Sequence, residues 1–137
     1  KDILSPKDLE ESGKLEVTDM ETTLFMGSAN GKFQQQPLPV QAQYSPIYSI
    51  VISDVNKDGN NDLLLFGNDD YFKLRLGKFD ANYGTLLVGD KNGGFQYIDQ
   101  LHSGLNINGD VRDALEINQM LLIGINENKL KAYKIQE

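Results

Sequence analysis

The chain has 137 residues, enough for one domain with a hydrophobic core, and 39% of them are hydrophobic, as is ordinary for a globular domain. The net charge is −7, with acidic and basic residues interspersed, so we expect no nucleic-acid surface, which needs a basic face to neutralise phosphates. Cysteine is absent, which excludes disulfides and thiolate metal sites, and no apolar run is long enough to span a membrane.

The first predicted element is a short helix near the N-terminus. Ser5 is a suitable N-cap residue, Pro6 stands at the first helical position and Asp8 at the third. We therefore predict a helix over about residues 6–11, within an N-terminal flank of residues 1–13. The chain begins at Lys1, without an initiator Met or a signal-like apolar segment, so we expect a mature or truncated piece.

Residues 14–137 are predicted to form strands and tight turns. Residues 21–26 and 31–34 flank an Asn-Gly turn, and residues 85–88 and 95–98 flank a second one. Asn-Gly between apolar runs is the strongest short-range signal for a β-hairpin, because both residues tolerate positive φ. We predict two hairpins.

The two hairpins also belong to a repeated pattern. The aligned segments are residues 24–33 with 86–95 and residues 64–67 with 121–124. We therefore predict two repeats, at about residues 20–70 and 84–137. Repeats of this length made of short strands are typical of β-propeller blades, and a closed propeller needs about four to eight of them. The predicted fold is all-β, with antiparallel sheets forming about two blades of a partial propeller.

Residues 54–62, Asp-Val-Asn-Lys-Asp-Gly-Asn-Asn-Asp, are the most informative segment. Oxygen-bearing side chains occupy every second position: Asp54, Asn56, Asp58, Asn60 and Asp62. Ca²⁺ takes about six to eight oxygen ligands, and a short loop can wrap it when alternate residues face inward. The glycine in the loop supplies the sharp turn, because it accepts positive φ. We predict one calcium ion here, with Asp62 as the last ligand.

There are two alternatives to this strand-flanked calcium loop. An EF-hand needs a Glu at its twelfth position, where this chain has Leu65, and a helix on either side. The flanks at residues 47–52 and 63–66 are instead predicted to be buried strands. The second alternative is a solvated turn without a metal, because Asp, Asn and Gly favour turns in any case.

One unit of the chain resembles the FG-GAP/VCBS repeats of integrin-like β-propellers. It consists of a predicted strand, the loop and then Leu-Leu-Leu-Phe-Gly at residues 63–67. A closer likeness is to the C-terminal part of bacterial proteins of the ASPIC/UnbV type, related to cartilage acidic protein. Further matching segments are residues 21–25, 38–39, 43–47, 76–84 and 109–113. The resemblance implies that four side chains and the Asn60 backbone carbonyl hold the calcium: Asp54, Asn56, Asp58 and Asp62. It implies one ion only, because the second repeat lacks the loop.

The resemblance implies a binding or scaffold module that is usually extracytoplasmic, where weak calcium sites stay filled. The leading prediction is a calcium-stabilised, non-catalytic module for protein–protein or carbohydrate contact. The alternative is the terminal part of a propeller hydrolase or lyase whose catalytic residues lie outside this chain. We predict no catalytic site within it, because His102 is the sole histidine and no nucleophile-elbow pattern surrounds a serine.

A possible binding surface is predicted between the two repeats. Tyr71, Phe72, Phe79 and Tyr83 form an aromatic-rich stretch interspersed with charged residues such as Arg75. Exposed aromatic rings beside charges are typical of glycan and protein contact surfaces, so we assign this role to Tyr71, Arg75 and Tyr83. The alternative is that the rings fill the core between blades. Exposed sheet edges left by missing blades would also favour self-association.

Overall fold

The computed structural model describes residues 5–72, 75 and 77–135. Three parts of the sequence-based predictions lie outside these described residues. They are residues 1–4 of the predicted N-terminal flank, residue 76 in the family-like segment 76–84, and residues 136–137 of the second predicted repeat. Helix α1 spans Pro6–Glu10. The Asp8 backbone N–H donates to Ser5 Oγ at 3.2 Å, and the Asp8 carboxylate accepts from the Ser5 N–H at 2.9 Å. This reciprocal capping box confirms the predicted short helix.

Nine strands lie in the described part of the chain, and all pair in antiparallel fashion. They are β1 (Thr23–Gly27), β2 (Phe33–Pro37), β3 (Ile47–Ser53), β4 (Asp62–Gly67), β5 (Thr85–Gly89), β6 (Phe95–Ile98), β7 (Val111–Ile117), β8 (Met120–Ile125) and β9 (Lys131–Lys134). A 3₁₀ helix at Val40–Gln43 and a short helix α2 at Gln100–Ser103 complete the elements. No described helix is both long and apolar enough to cross a membrane.

The strands form three sheets rather than a closed propeller. The first is the hairpin β1–β2, the second has the order β3-β4-β5-β6 and the third the order β7-β8-β9. The predicted mostly-β, antiparallel architecture is confirmed. The sheet boundaries do not follow the predicted repeats, because Leu63 and Leu65 of β4 pair with Leu87 and Thr85 of β5. The second half of repeat one and the first half of repeat two therefore share one sheet.

Both predicted hairpins are present, and their turns have the same hydrogen bond. Ser28 donates its N–H to the Lys32 carbonyl at 2.8 Å, and Asp90 donates to the Gly94 carbonyl at 2.9 Å. Gly31 in the first turn has a φ of 76°, and Gly93 in the second turn has a φ of 78°. In both turns the glycine has the positive φ that it accepts at least cost, whereas the asparagine before it does not have a positive φ. The hairpins are present as predicted, but the expected reason holds for glycine alone.

Two apolar clusters lie against the two faces of the second sheet. Alternate residues of β4 point to opposite faces, so Leu64 and Phe66 enter one cluster while Leu63 and Leu65 enter the other. The cluster that contains Leu64 and Phe66 lies between the second and third sheets. The cluster that contains Leu63 and Leu65 lies on the other face of the second sheet, against Leu24 of β1 and the segment around the 3₁₀ helix. Strand β4 is thus buried on both faces, which explains why residues 63–66 are all apolar, whereas Ile50 and Ile52 of the edge strand β3 stay exposed.

Candidate functional site

The predicted calcium loop connects β3 to β4, within the second sheet. Both flanking elements are strands, as expected, so the EF-hand alternative is wrong. The backbone bends at Lys57, with a φ of 58°, and at Gly59, with a φ of 85°. The Gly59 conformation is the sharp turn that the sequence pattern required.

Hydrogen bonds hold the polar side chains of the loop against its own backbone. Asp54 accepts from the Asp58 N–H at 3.0 Å and from the Gly59 N–H at 2.9 Å, one bond to each carboxylate oxygen. Asn56 Oδ1 also accepts from the Asp58 N–H, at 3.1 Å, and Asp58 Oδ1 accepts from the Asn60 N–H at 2.8 Å. The two Asp54 oxygens and Asn56 Oδ1 each keep a second lone pair that can bind a cation. Asp58 Oδ1 accepts a second hydrogen bond, from the Asn60 side-chain amide at 2.8 Å.

The Asp58 carboxylate is kept ionised by its surroundings. The hydrogen bond from the Asn60 backbone and then that from the Asn56 amide lower the pKa of Asp58, with a smaller effect from the charge of Lys91. Donors that stabilise the charged form of a carboxyl group lower its pKa in this way. The loop therefore presents an ionised side chain at its centre, as a calcium site requires.

Asp62 is fully buried and ties the loop to the neighbouring strand. Its Oδ2 accepts from the Val55 N–H and its Oδ1 accepts from the Gly89 N–H, both at 2.9 Å. A Cβ at Gly89 would lie 2.2 Å from the Asn61 carbonyl oxygen, so the loop approaches β5 too closely for any side chain there. The two N–H donors are neutral dipoles, and a buried negative charge is stabilised further by a cation.

The chemistry of the five predicted ligands fits a hard cation, because every donor is a carboxylate or amide oxygen. In the described ranges, no group of three or more His, Cys, Asp or Glu side chains is arranged to hold a metal ion. Two of the predicted ligands are Asn, and Asp62 is turned towards the Val55 and Gly89 N–H groups. The calcium ion stays a prediction.

A cavity of about 430 Å³ adjoins the loop, within the size range of small-molecule sites. Residues Gly59, Asn60 and Asn61 form one wall, and Leu24 of β1 and Phe95 of β6 contribute apolar surface. No sequence pattern indicates this cavity, because its walls come from three separate parts of the chain.

The predicted binding residues Tyr71, Arg75 and Tyr83 are all exposed. The Tyr71 hydroxyl donates to Glu127, and this hydrogen bond raises the pKa of Tyr71. No hydrogen bond or ion pair among the described residues joins the three to one another. They have the exposure that a contact surface requires, and binding through them stays a prediction.

Sequence reasoning missed a polar cluster between the second and third sheets. Arg112 of β7 pairs with the buried Asp110 at 2.6 Å, and its guanidinium carbon lies 4.3 Å from the ring centroid of Tyr48 in β3. Tyr48 donates to Asp69 at 3.3 Å, and Asp69 lies 4.0 Å from Arg112. Asp110 Oδ1 has no hydrogen-bond partner in the described part of the chain. The charged pair and the ring contact fix how the two sheets meet.

His102 belongs to a helix cap. Its Nδ1 lies 2.8 Å from the carboxylate of Asp99, the N-cap residue of α2, and these hydrogen bonds lower the pKa of Asp99. Ser103 Oγ accepts from the Leu105 N–H at 3.3 Å. The Asp99–His102 pair therefore serves the helix terminus.

Comparison with known proteins gives no further guide to the site. The chain matches no family model, no curated protein and no solved structure.

Proposed function

We propose that this chain is a calcium-stabilised, non-catalytic binding or scaffold module, and that its sheets are blades of a larger extracytoplasmic propeller. The observation that carries the proposal is the loop at residues 54–62, where alternating oxygen donors end at a buried carboxylate. Asp54, Asn56, Asp58, Asn60 and Asp62 would hold the ion. When bound, calcium supplies positive charge to three carboxylates that are close in the chain.

The role of the site is mechanical. Asp62 already links the loop to Gly89 of β5, so any cation that fixes Asp62 also fixes the connection between β3–β4 and β5. Binding to the folded state alone stabilises it by about 2.7 kcal/mol when free calcium is 100-fold above the dissociation constant. For a domain of this size, that corresponds to a rise in melting temperature of roughly 5–15 °C.

The shape of the second sheet supports the blade assignment. It is a four-stranded antiparallel sheet whose strands follow one another in chain order, with apolar residues buried on both faces. Its first strand, β3, meets the first strand of the next sheet, β7, where the Ala114 N–H donates to Ser49 Oγ at 2.9 Å. A propeller blade is a four-stranded antiparallel sheet, and the second sheet has this form, while the first has two strands and the third has three.

The binding role is proposed from the exposed aromatic residues. Tyr71, Tyr83 and the charged Arg75 are all exposed to solvent. Such a combination offers stacking and hydrogen bonding to a protein or glycan partner. An extracytoplasmic location follows from the calcium proposal, because millimolar calcium outside the cytoplasm keeps weak sites filled.

The test is calorimetric titration of calcium into chelator-treated protein, together with thermal unfolding. We expect one binding event and a higher melting temperature in calcium. Asp58→Asn should abolish both effects. Asp80→Asn, which removes an exposed carboxylate outside the loop, is the matched control and should leave them unchanged. Absence of heat at millimolar calcium, or an equal loss in the control, rejects the proposal.

A further inference from the structure

The cavity beside the loop has an apolar side. Leu24 and Met26 of β1, Ile52 of β3 and Phe95 of β6 supply it. Met26 is 39% exposed and Ile52 is 62% exposed, although both line a concave site. Accessible apolar side chains that come together in a concave site are typical of a surface that a ligand covers.

Fixed contacts hold the walls of this cavity in place. Gln36 of β2 donates its side-chain N–H to the Gly93 carbonyl at 3.2 Å, which ties the first hairpin to the turn between β5 and β6. The bond from the Gly89 N–H to Asp62 ties the loop to β5 at 2.9 Å. A site whose walls are already positioned loses little conformational entropy when a ligand binds.

The polar side of the cavity carries groups with unused hydrogen-bonding capacity. In the part of the chain that the structure describes, the Asn61 side chain forms no hydrogen bond and the Lys91 ammonium group forms no ion pair. Asn60 donates its side-chain N–H to Asp58 at 2.8 Å, which leaves its Oδ1 free to accept. Two amides and one ammonium group therefore line the same cavity as the apolar side chains.

Lys91 supplies the charged donor. Its charge contributes to the lowered pKa of Asp58, so the ammonium group lies near the loop. Asp90 also lines the cavity, but its Oδ1 accepts from the N–H groups of Asn92 and Gly94 within its own turn. The loop carboxylates oppose the approach of an anion to Lys91, and bound calcium would offset their charge.

This combination of groups selects a class of ligand. A sugar ring has an apolar C–H face, which matches side chains such as Met26 and Phe95, and hydroxyl groups at its edge, which pair with amides. An ammonium group forms stronger hydrogen bonds with an ionised acceptor than with a neutral one, so Lys91 favours a sugar that bears a carboxylate.

We propose that this cavity binds one acidic sugar unit of an anionic glycan, with the carboxylate on Lys91 and the hydroxyl groups on Asn60 and Asn61. The inference rests on the proposed function, because it names the glycan class that the binding module takes. Calcium in the loop should tighten the binding of the acidic sugar, since it offsets the nearby carboxylates. By linkage, the acidic sugar should tighten the binding of calcium by the same factor.

The test is a titration of the ¹⁵N-labelled chain with glucuronate, followed through the NMR shifts of backbone amides in calcium and in chelator. For so small a ligand, a dissociation constant of about 1 mM is expected in calcium. The amides of Asn60, Asn61 and Gly93 should shift, and binding should be weaker in chelator. Glucose, which lacks the carboxylate, and acetate, which lacks the ring, should each bind at least ~5-fold more weakly.

Two variants separate the charged contact from the apolar one. Lys91→Met should lower the affinity for glucuronate to that for glucose, whereas Lys32→Met, which changes an exposed lysine outside the cavity, should not. Met26→Ala should weaken glucuronate and glucose alike, and Leu15→Ala is its exposed control. If either cavity variant loses the wild-type circular dichroism spectrum, Asn61→Ala replaces it.

Calorimetry of calcium binding on the same samples separates this inference from the calcium site. Calcium binding without glucuronate shifts in the cavity amides, equal affinity for glucuronate and acetate, or full affinity in Lys91→Met overturns the inference and leaves the calcium site intact. Shifts confined to the amides near Tyr71 and Tyr83 overturn it as well. Glucuronate binding in the cavity without any calcium binding would retain the cavity and reject the metal site.

Discussion

Replacing Asp62 with Ala tests how the loop is attached to the second sheet. The substitution leaves the N–H groups of Val55 and Gly89 without the acceptor that each has at 2.9 Å. Asp62 and Gly89 are buried, so water does not readily replace the bond to Gly89, whereas Val55 is partly buried. A buried donor left unsatisfied costs about 1–3 kcal/mol and the partly buried one at most as much, which gives a destabilisation of roughly 1–6 kcal/mol. Since single domains are stable by about 5–15 kcal/mol, the loss is a large fraction of the total.

The assay is urea unfolding followed by circular dichroism, in chelator, so that metal binding does not contribute. Asp90→Ala is the matched control. Asp90 Oδ1 accepts from the N–H groups of Asn92 at 2.7 Å and Gly94 at 2.8 Å, but this turn is exposed and water can replace the acceptor. The control should cost less than about 1 kcal/mol. Equal losses in the two variants would refute the reasoning.

Two further predictions concern the same loop. Gly89→Ala places a Cβ 2.2 Å from the Asn61 carbonyl oxygen, so it should lower the free energy of unfolding in urea by about 1–3 kcal/mol and weaken calcium binding. Gly13→Ala is the control, because Gly13 has open space around it, and it should change neither quantity. Wild-type stability and calcium binding in Gly89→Ala would contradict this prediction. Hydrogen bonds hold the pKa of Asp58 below its ordinary value of 3.8, so its contribution to stability is present above that value and is lost as the pH falls through the lowered pKa. An NMR titration of the Asp58 side-chain carboxyl in chelator should therefore show a midpoint below 3.8, and a midpoint at or above that value would contradict the reasoning.

Local signals predicted the elements of the fold well. The Ser5–Asp8 capping box gave α1, and the Asn-Gly turns gave both hairpins, because in each case the deciding interactions lie within a few residues. The apolar runs on either side of the loop gave β3 and β4 for the same reason. Which strands share a sheet was not predictable from the repeat, because β4 pairs with β5 across the long connection that carries the aromatic stretch.

The candidate site was predicted only where its residues are consecutive. The order of oxygen donors in residues 54–62 is visible in the sequence, but the attachment of Asp62 to Gly89 spans two strands and is not. The cluster around Arg112 brings Tyr48, Asp69 and Asp110 together from distant segments. No spacing rule connects such residues, since their contact depends on how the sheets stack.

The most direct measurement is a crystal structure determined from calcium-containing solution, with the anomalous signal of calcium recorded. We predict a single ion in the loop between β3 and β4, surrounded by oxygens of Asp54, Asn56, Asp58, Asn60 and Asp62. A loop without an ion, with these side chains bonded solely to backbone N–H groups, would contradict the account.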